Sequence, residues 1–310
     1  MLDILKIVLP VFIIIGSGYL FTYKQIFSEL QAKTIMRFAI TFALPCLLFH
    51  GVANLDLDSV FNVSVLTPFY LPALINFIIT GSIAFYYFKR QPTDCVSISF
   101  SVIFTNGLLM GLAIVDLAYD SSASETALAI IAINAPFCYS LGILSMELAR
   151  SDHFNFVRTI KQTAKQVFSN SLMLAIMLAF IVNLSDLNIP FFIDIALRKV
   201  GDAALPVALF GLGAVLVSFK FVYQLPQVTM VCFNKLFLHP ALAFLVARFI
   251  FNLPDATLKP IVIMAAMPSG INAYVFATMY DKATNSAAST ILFSTILSVF
   301  TISIWLAILD

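Results

Sequence analysis

The sequence is poor in charge. Only 11% of its 310 residues are Asp, Glu, Lys or Arg, whereas 61% are hydrophobic. A water-soluble chain carries about 25% charged residues, so this chain cannot cover a body of its size with polar side chains. Lipid must cover the apolar surface instead. The formal net charge of +1 gives no general attraction for nucleic acid, and we expect no such partner.

Cysteine and histidine are also scarce. The four cysteines show no CxxC spacing and lie in or beside apolar runs, so we expect neither a disulfide nor a metal site. The three histidines are scattered, and the chain has no GxSxG, HExxH or Walker A sequence. These absences argue against an enzyme, and we expect no cofactor.

Long hydrophobic runs fill the sequence instead. A membrane-spanning helix needs about 20 mostly apolar residues, and ten such segments follow one another without a soluble domain between them. They cover residues 3–22, 33–53, 64–88, 95–117, 123–149, 165–184, 190–217, 227–251, 257–280 and 284–309. We number them spans 1 to 10 and predict an all-α membrane protein with ten transmembrane helices. The longest polar connection is predicted at residues 150–165.

Lysine and arginine are distributed unevenly among the loops. Most lie in or beside the loops that follow odd-numbered spans, whereas the remaining loops are acidic. The basic residues of the first set are Lys24, Lys33, Arg37, Lys89, Arg90, Arg150, Arg158, Lys161, Lys165, Lys220 and Lys282. The acidic residues of the second set are Asp56, Asp58, Asp116, Asp120, Glu125 and Asp186. Basic loops face the cytoplasm, so we expect a multi-pass inner (plasma) membrane protein with both termini outside.

Two sequence patterns occur twice at nearly the same separation. The pattern ALPxxLF begins at residues 43 and 204, with its prolines 161 residues apart (206 − 45). The triplets TNG at 105–107 and PSG at 268–270 place their glycines 163 residues apart (270 − 107). The two similar offsets indicate an internal repeat of five spans. Because five is odd, the second half enters from the opposite side, and we predict two inverted five-helix repeats.

Both triplets stand in the middle of a span. Proline removes a backbone donor and glycine lets the chain leave the helix. Unwinding in hydrocarbon costs several kcal/mol for each unsatisfied polar group, so such breaks persist only inside a protein or beside a wet cavity. We therefore predict the substrate site where the breaks in spans 4 and 9 meet. An ordinary kink is the alternative interpretation of each break.

Polar side chains lie at a similar depth in spans 4, 5, 9 and 10. They are candidates for substrate binding, although such groups also hold helices together without binding anything. Together with the remaining residues of the two triplets, the candidates are Thr105, Asn106, Gly107, Asn134, Tyr139, Pro268, Ser269, Gly270, Asn272 and Ser298.

A single charge stands deep in span 8. Lys235 lies well inside this apolar run, and His239 follows one helical turn later. Intramembrane charges are usually functional. We consider three roles for Lys235: it stabilises the crossed helices, it contacts substrate or gates coupling, or its side chain extends to the membrane surface. A packed core histidine is the alternative for His239. The positive ends of half-helices favour anions and no deep carboxylate is available for a cation, so we expect an organic anion as substrate.

The chain resembles the auxin efflux carrier family, whose bacterial members include malate and malonate permeases. The segments that carry the resemblance are FALPCLLF (42–49), TNGLLMG (105–111), ALPVALFGLG (204–213), KLFLHPALA (235–243) and AMPSGINAYVFA (266–277). The resemblance implies a sodium/proton-antiporter-like fold with crossed broken helices in spans 4 and 9. It also implies that Asn106 and Asn134 face substrate and that Pro268 lies at the crossing.

The same resemblance implies a division into two domains. A scaffold of spans 1, 2, 6 and 7 would include residues 1–53 and, with a linker, 151–222, and would form a homodimer contact. A mobile core would include residues 54–150 and 223–310. The plant members carry a proline where this chain has Thr105, and they have a long central loop that is absent here, so small carboxylates fit better than auxin.

The sequence therefore predicts a secondary transporter of small organic anions, such as dicarboxylates or weak carboxylic acids, that works by alternating access. The alternatives are a membrane sensor or binding scaffold without turnover, a carrier of auxin-like aromatic acids, and a channel. The coupling ion stays open.

Overall fold

The computed structural model describes residues 2–57, 61–150, 156–185, 187–219 and 224–310. Every regular element in these ranges is helical, and a single isolated β-bridge joins Thr105 to Ser269. Three of the charged loop residues from which the membrane orientation is predicted lie outside the described ranges: Asp58, Asp186 and Lys220.

The helices are numbered in chain order. They are α1 (Leu2–Tyr23), α2 (Glu29–Ala53), α3 (Val63–Tyr86), α4 (Pro92–Ile103), α5 (Gly107–Ala118), α6 (Ser121–Ala149), α7 (Phe156–Phe168), α8 (Ser171–Leu184), α9 (Phe191–Leu216), α10 (Leu225–Ile250), α11 (Asp255–Ala266), α12 (Asn272–Tyr280) and α13 (Thr284–Leu309). Seven of them (α1, α2, α3, α6, α9, α10 and α13) are long and apolar enough to cross a membrane. The bent pair α7 and α8 raises this number to eight among the described residues.

Spans 4 and 9 of the sequence prediction are each divided into two short helices. Helices α4 and α5 correspond to span 4, and α11 and α12 to span 9. At 1.5 Å per residue, each pair together reaches about 30 Å or slightly more, which is the thickness of the hydrocarbon core. Each half alone is too short to cross. Counting each of these two pairs as one span raises the number of spans from eight to ten.

Span 6 differs from its prediction. A continuous helix over residues 165–184 is wrong, because α7 and α8 meet at an angle of 80°. Helix α8 begins after Asn170, whose side-chain oxygen accepts a hydrogen bond from the Leu172 N–H at 2.9 Å. This N-cap ends the preceding helix and starts a new one in another direction. The connection predicted as polar loop at residues 150–165 is helical from Phe156 onward.

Prolines widen two of the long helices. Helices α2 and α10 each contain a π-helical turn that ends two residues before a proline, at Pro45 and Pro240. A proline lacks an N–H and crowds the carbonyl four residues earlier. In α10 the N–H of His239 donates to the carbonyl of Asn234, five residues back. The widened turn places Lys235 inside the protein, where it is fully buried.

The helices pack in two groups. The first group contains α1, α2, α8 and α9, and the second contains α3, α4, α6, α10, α11 and α13. Within the first group, α1 and α9 approach each other at glycines. A Cβ atom at Gly18 would lie 2.0 Å from the carbonyl oxygen of Phe210, and one at Gly213 would lie 1.8 Å from that of Ile15. Only glycine allows this backbone contact.

We expect the Gly18→Ala variant to melt at a lower temperature than the wild type. Its new methyl group clashes with the backbone of α9, and overpacking of this kind costs about 1–3 kcal/mol. Gly16→Ala in the same helix is the matched control, because a Cβ there meets nothing within 4 Å. Thermal unfolding in detergent measures the difference. Equal melting temperatures for the two variants would show that α1 and α9 do not pack in this way.

Candidate functional site

The breaks in the two divided helix pairs face each other. Helix α4 ends at Ile103 and α5 begins at Gly107, while α11 ends at Ala266 and α12 begins at Asn272. The chain between each pair is extended rather than helical at its first residue, as the dihedral angles of Phe104 (φ −82°, ψ 93°) indicate. The two pairs therefore interrupt their helices at the same place in the molecule.

Two backbone hydrogen bonds join the breaks reciprocally. The N–H of Gly270 donates to the carbonyl of Phe104 at 2.8 Å, and the N–H of Asn106 donates to the carbonyl of Pro268 at 2.8 Å. Each bond satisfies polar groups that unwinding would otherwise leave without partners. Since an unsatisfied buried group costs several kcal/mol in hydrocarbon, the two breaks stabilise each other.

The crossing is tight and is anchored to α13. The N–H of Ser269 donates to the hydroxyl of Ser294 at 3.1 Å. A Cβ atom at Gly270 would lie 3.1 Å from the carbonyl oxygen of Thr105, so a larger residue would press the two backbones apart. Pro268 and Ser269 therefore shape the crossing, and neither borders the cavities beside it.

Two small cavities lie beside the crossing, with volumes of about 60 and 110 Å³. They share a wall made of residues from the breaks and from α8. The shared lining residues are Phe104, Thr105, Leu108, Asn170, Leu172 and Asn272. The smaller cavity also contacts Gly107 and Asn134, and the larger one contacts Asn106 and Gly270. Residues of α2 close both cavities, so the cavities lie between the two groups of helices.

Amide side chains supply most of the polarity of these cavities. They come from Asn106, Asn134, Asn170 and Asn272. The side-chain nitrogen of Asn106 is buried and has no hydrogen-bond partner within the described ranges. A buried donor left in this state costs about 1–3 kcal/mol, which a bound acceptor would recover. The lining residues of the two cavities include no charged side chain.

Three helices begin at these cavities. Helix α5 starts at Gly107, α12 starts at Asn272, and α8 starts directly after Asn170. The first N–H groups of a helix have no partner within it and carry a positive partial charge. Helix N-termini consequently bind anions. The helix ends that begin at these cavities therefore carry positive partial charge, although no charged side chain lines either cavity.

Tyr139 and Ser298, two further predicted site residues, also lie outside the cavities. Tyr139 is 4% exposed and packs between Phe100 and Phe104, with ring centroids 5.6 and 5.9 Å apart. The hydroxyl of Ser298 donates to the carbonyl of Thr295 in its own helix at 2.7 Å. Neither side chain borders the cavities.

Lys235 and His239 contact each other beneath the crossing. The Lys235 ammonium donates to the carbonyl of Ala265 at 2.9 Å and lies 3.1 Å from His239 Nδ1. His239 Nε2 lies 3.3 Å from the carbonyl of Phe69. The last carbonyls of a helix carry a negative partial charge, so Lys235 is placed to stabilise the end of α11 at the break. Neither residue borders the cavities.

A buried polar network that the sequence analysis did not assign lies next to Lys235. The Asn76 side-chain nitrogen donates to the Asn234 carbonyl at 2.9 Å, and that of Asn234 donates to the Thr80 hydroxyl at 2.9 Å. The Thr80 hydroxyl donates to the Asn76 side-chain oxygen at 3.3 Å. The network joins α3 to α10. Asn170 was also missed, although an Asn-Ser pair before an apolar run is an N-cap signal.

Comparisons with known proteins agree on the class of this molecule. The sequence profile of the family described as "Membrane transport protein" matches residues 3–306. The uncharacterized transporter YfdV of Escherichia coli (strain K12) is 26% identical over 308 residues, which cover 96% of this chain and 95% of that protein. An uncharacterized transporter of Methanothermobacter thermautotrophicus is 24% identical over 306 residues, covering 97% of each chain. This multi-span chain therefore belongs to the membrane transport protein family, the auxin efflux carrier family that its motifs resemble.

Proposed function

We propose that the protein is a secondary transporter of small organic anions that works by alternating access. The observation that carries the proposal is the convergence of three helix N-termini on uncharged cavities between two groups of helices. Beside them, the Asn106 amide lacks a partner. A carboxylate has the charge and the acceptors that this arrangement leaves unfilled.

The architecture that we propose has ten spans in two inverted repeats, with α4–α5 and α11–α12 as the broken spans 4 and 9. The reciprocal hydrogen bonds between the breaks support an arrangement of the sodium/proton-antiporter type. Residues 1–53 and 151–222 would form the scaffold, and residues 54–150 and 223–310 the mobile core. The packing of the helices in two groups supports this division. Both termini would face outward from the inner membrane.

A homodimer through the scaffold is part of the same proposal. An apolar groove runs over α1, α2 and α9 and is bordered by Ile14, Ile35, Phe38, Val207 and Phe210. Its position on the scaffold makes it the surface on which a second copy would pack.

Cavity size favours a small substrate. Sites for drug-sized ligands occupy roughly 300–1,000 Å³, whereas the larger cavity at the crossing has about 110 Å³. A short dicarboxylate or another small carboxylic acid fits this volume better than an aromatic acid does. In the larger cavity its carboxylate would accept from the Asn106 amide and from the N–H groups at the start of α12, at Asn272.

The geometry also suggests how the site would open. A further cavity of about 360 Å³ lies along the same contact between the helix groups and is bordered by Asp116 and Arg198. In its wall, Gly51 of α2 packs so closely on Leu128 of α6 that a Cβ atom would lie 2.9 Å from the leucine methyl carbon. Movement of the core against α2 would separate these two residues and connect the cavities.

The test is uptake of labelled malate, malonate and an aromatic carboxylic acid into proteoliposomes, with and without unlabelled acid inside. We expect saturable uptake of a small dicarboxylate that internal substrate accelerates, because a carrier returns faster when loaded. A channel would show flux without acceleration. A sensor or binding scaffold would show a rise in melting temperature with ligand while flux stays at the level of empty liposomes. Either of these results, or no response to any acid across pH and ion gradients, contradicts the proposal.

We expect Asn106→Ala to lower uptake by about 10- to 100-fold. A hydrogen bond to a charged group is worth about 1.5–3 kcal/mol, and every 1.4 kcal/mol is tenfold in affinity. The side chain donates to nothing in the described ranges, so its removal should leave the melting temperature unchanged. Asn285→Ala, which removes an exposed amide, is the matched control. Uptake at the wild-type level in the Asn106 variant would remove this residue from the site.

A further inference from the structure

Helix α7 connects the two halves of the chain and is amphipathic. Its apolar residues recur at helical spacing and share one face, while the remainder of the helix is polar or basic. The apolar face includes Val157, Ile160, Ala164, Val167 and Phe168. The helix contains no acidic residue.

The orientation of this helix is the reverse of that in a water-soluble protein, where the apolar stripe faces the core. The side chains of Val157, Ile160 and Phe168 are 59%, 51% and 54% exposed. The polar side instead faces the protein: Thr159 is 6% exposed, and the Gln166 amide lies 2.9 Å from the sulfur of Met279 in α12. Val167 packs against the core, but the exposed apolar side chains of Val157, Ile160 and Phe168 need another apolar partner.

The geometry of the chain places this stripe beside lipid. Helix α8, which follows directly, is apolar and exposes Leu174, Leu178 and Ile181. The angle of 80° between α7 and α8 lays α7 across the direction of α8. Helix α8 has 14 residues and packs against the membrane-spanning helix α2, so a helix at nearly a right angle to α8 lies close to the plane of the membrane surface. Helices of this kind bury an apolar face among the acyl chains and keep their basic residues at the headgroups.

Two lysines complete the pattern. Lys161 and Lys165 are exposed, lie one turn apart and flank the apolar stripe. Basic residues at a membrane surface attract anionic headgroups, by about fivefold in affinity for each residue.

We propose that α7 is an interfacial helix that binds anionic phospholipid. The side chains of Ile160 and Phe168 insert among the acyl chains, and the ammonium groups of Lys161 and Lys165 contact the headgroup phosphates. A second copy of this chain is a less suitable occupant of the stripe, since it would bring like-charged lysines together. The inference is independent of the transported substrate.

The first experiment measures the depth of the helix in the full-length protein. A fluorescent label is attached at Ile160→Cys or at Lys161→Cys, with Cys46→Ser as background because the other native cysteines are buried. We expect lipids with a nitroxide on the acyl chain to quench the label at position 160 at least about twofold more than the one at 161. We expect iodide in the water to show the opposite order. Equal quenching by iodide at both positions, or protection of position 160 from both quenchers through dimer contact, would overturn the proposal.

The second experiment measures the charge preference of the bound lipid. The purified protein is exposed to phosphatidylglycerol and phosphatidylcholine in competition, and the retained lipid is counted by native mass spectrometry. We expect the wild type to prefer phosphatidylglycerol. In the double variant Lys161→Gln/Lys165→Gln this preference should fall about fivefold for each lysine removed. Lys199→Gln, which alters an exposed lysine of α9, is the control and should keep it. Equal retention of both lipids by the wild type, or an unchanged preference in the double variant, would contradict the assignment.

Discussion

The satisfaction of backbone polar groups in a medium without water is the constraint on which this structure depends. Two segments of this chain leave their helices within the hydrocarbon, and they can do so only by forming hydrogen bonds with each other. Phe104 pairs with Gly270 and Asn106 with Pro268, and each pair joins residues from opposite halves of the sequence. Neither break is stable alone, so the crossing requires both halves to be folded together. The helix ends beside it then have fixed positions, and these positions decide the electrostatics of the cavities.

The C-terminal and N-terminal ends of the divided helices differ in their partners. The carbonyl of Ala265 near the end of α11 receives the ammonium of Lys235, and the carbonyl of Ile103 at the end of α4 lies 3.5 Å from the sulfur of Cys138. The N-terminal ends at Gly107 and Asn272 instead open into the cavities. Negative helix ends are thus compensated from within the protein, whereas positive ends are left for a ligand. This difference supports the proposed anionic substrate, and it does so without Lys235, which borders neither cavity.

The sequence predicted the features that have a local pattern. Except in span 6, hydrophobic length located the apolar helices to within about four residues, and the glycine and proline triplets located both breaks. The features that it missed depend on distant partners. The pairing of Asn76 with Asn234 crosses 158 residues, and the partner of Lys235 is a backbone carbonyl, which has no signature in the sequence. The beginning of α8 was recoverable from the capping signal at Asn170, but the predicted span began at residue 165 and therefore included the bend.

The contacts within and between the helix groups differ in a way that bears on movement. Helices α1 and α9 touch backbone to backbone at Gly18 and Gly213, and such contacts cannot slide without a clash. The wall that α2 presents to the crossing consists of Met36, Ile40, Leu44 and Leu48. Flexible apolar side chains of this kind repack at low cost when one surface shifts past another. The first group of helices is therefore closely fitted where its own members meet and lined by apolar side chains where it meets the second group, which is the combination that the proposed movement requires.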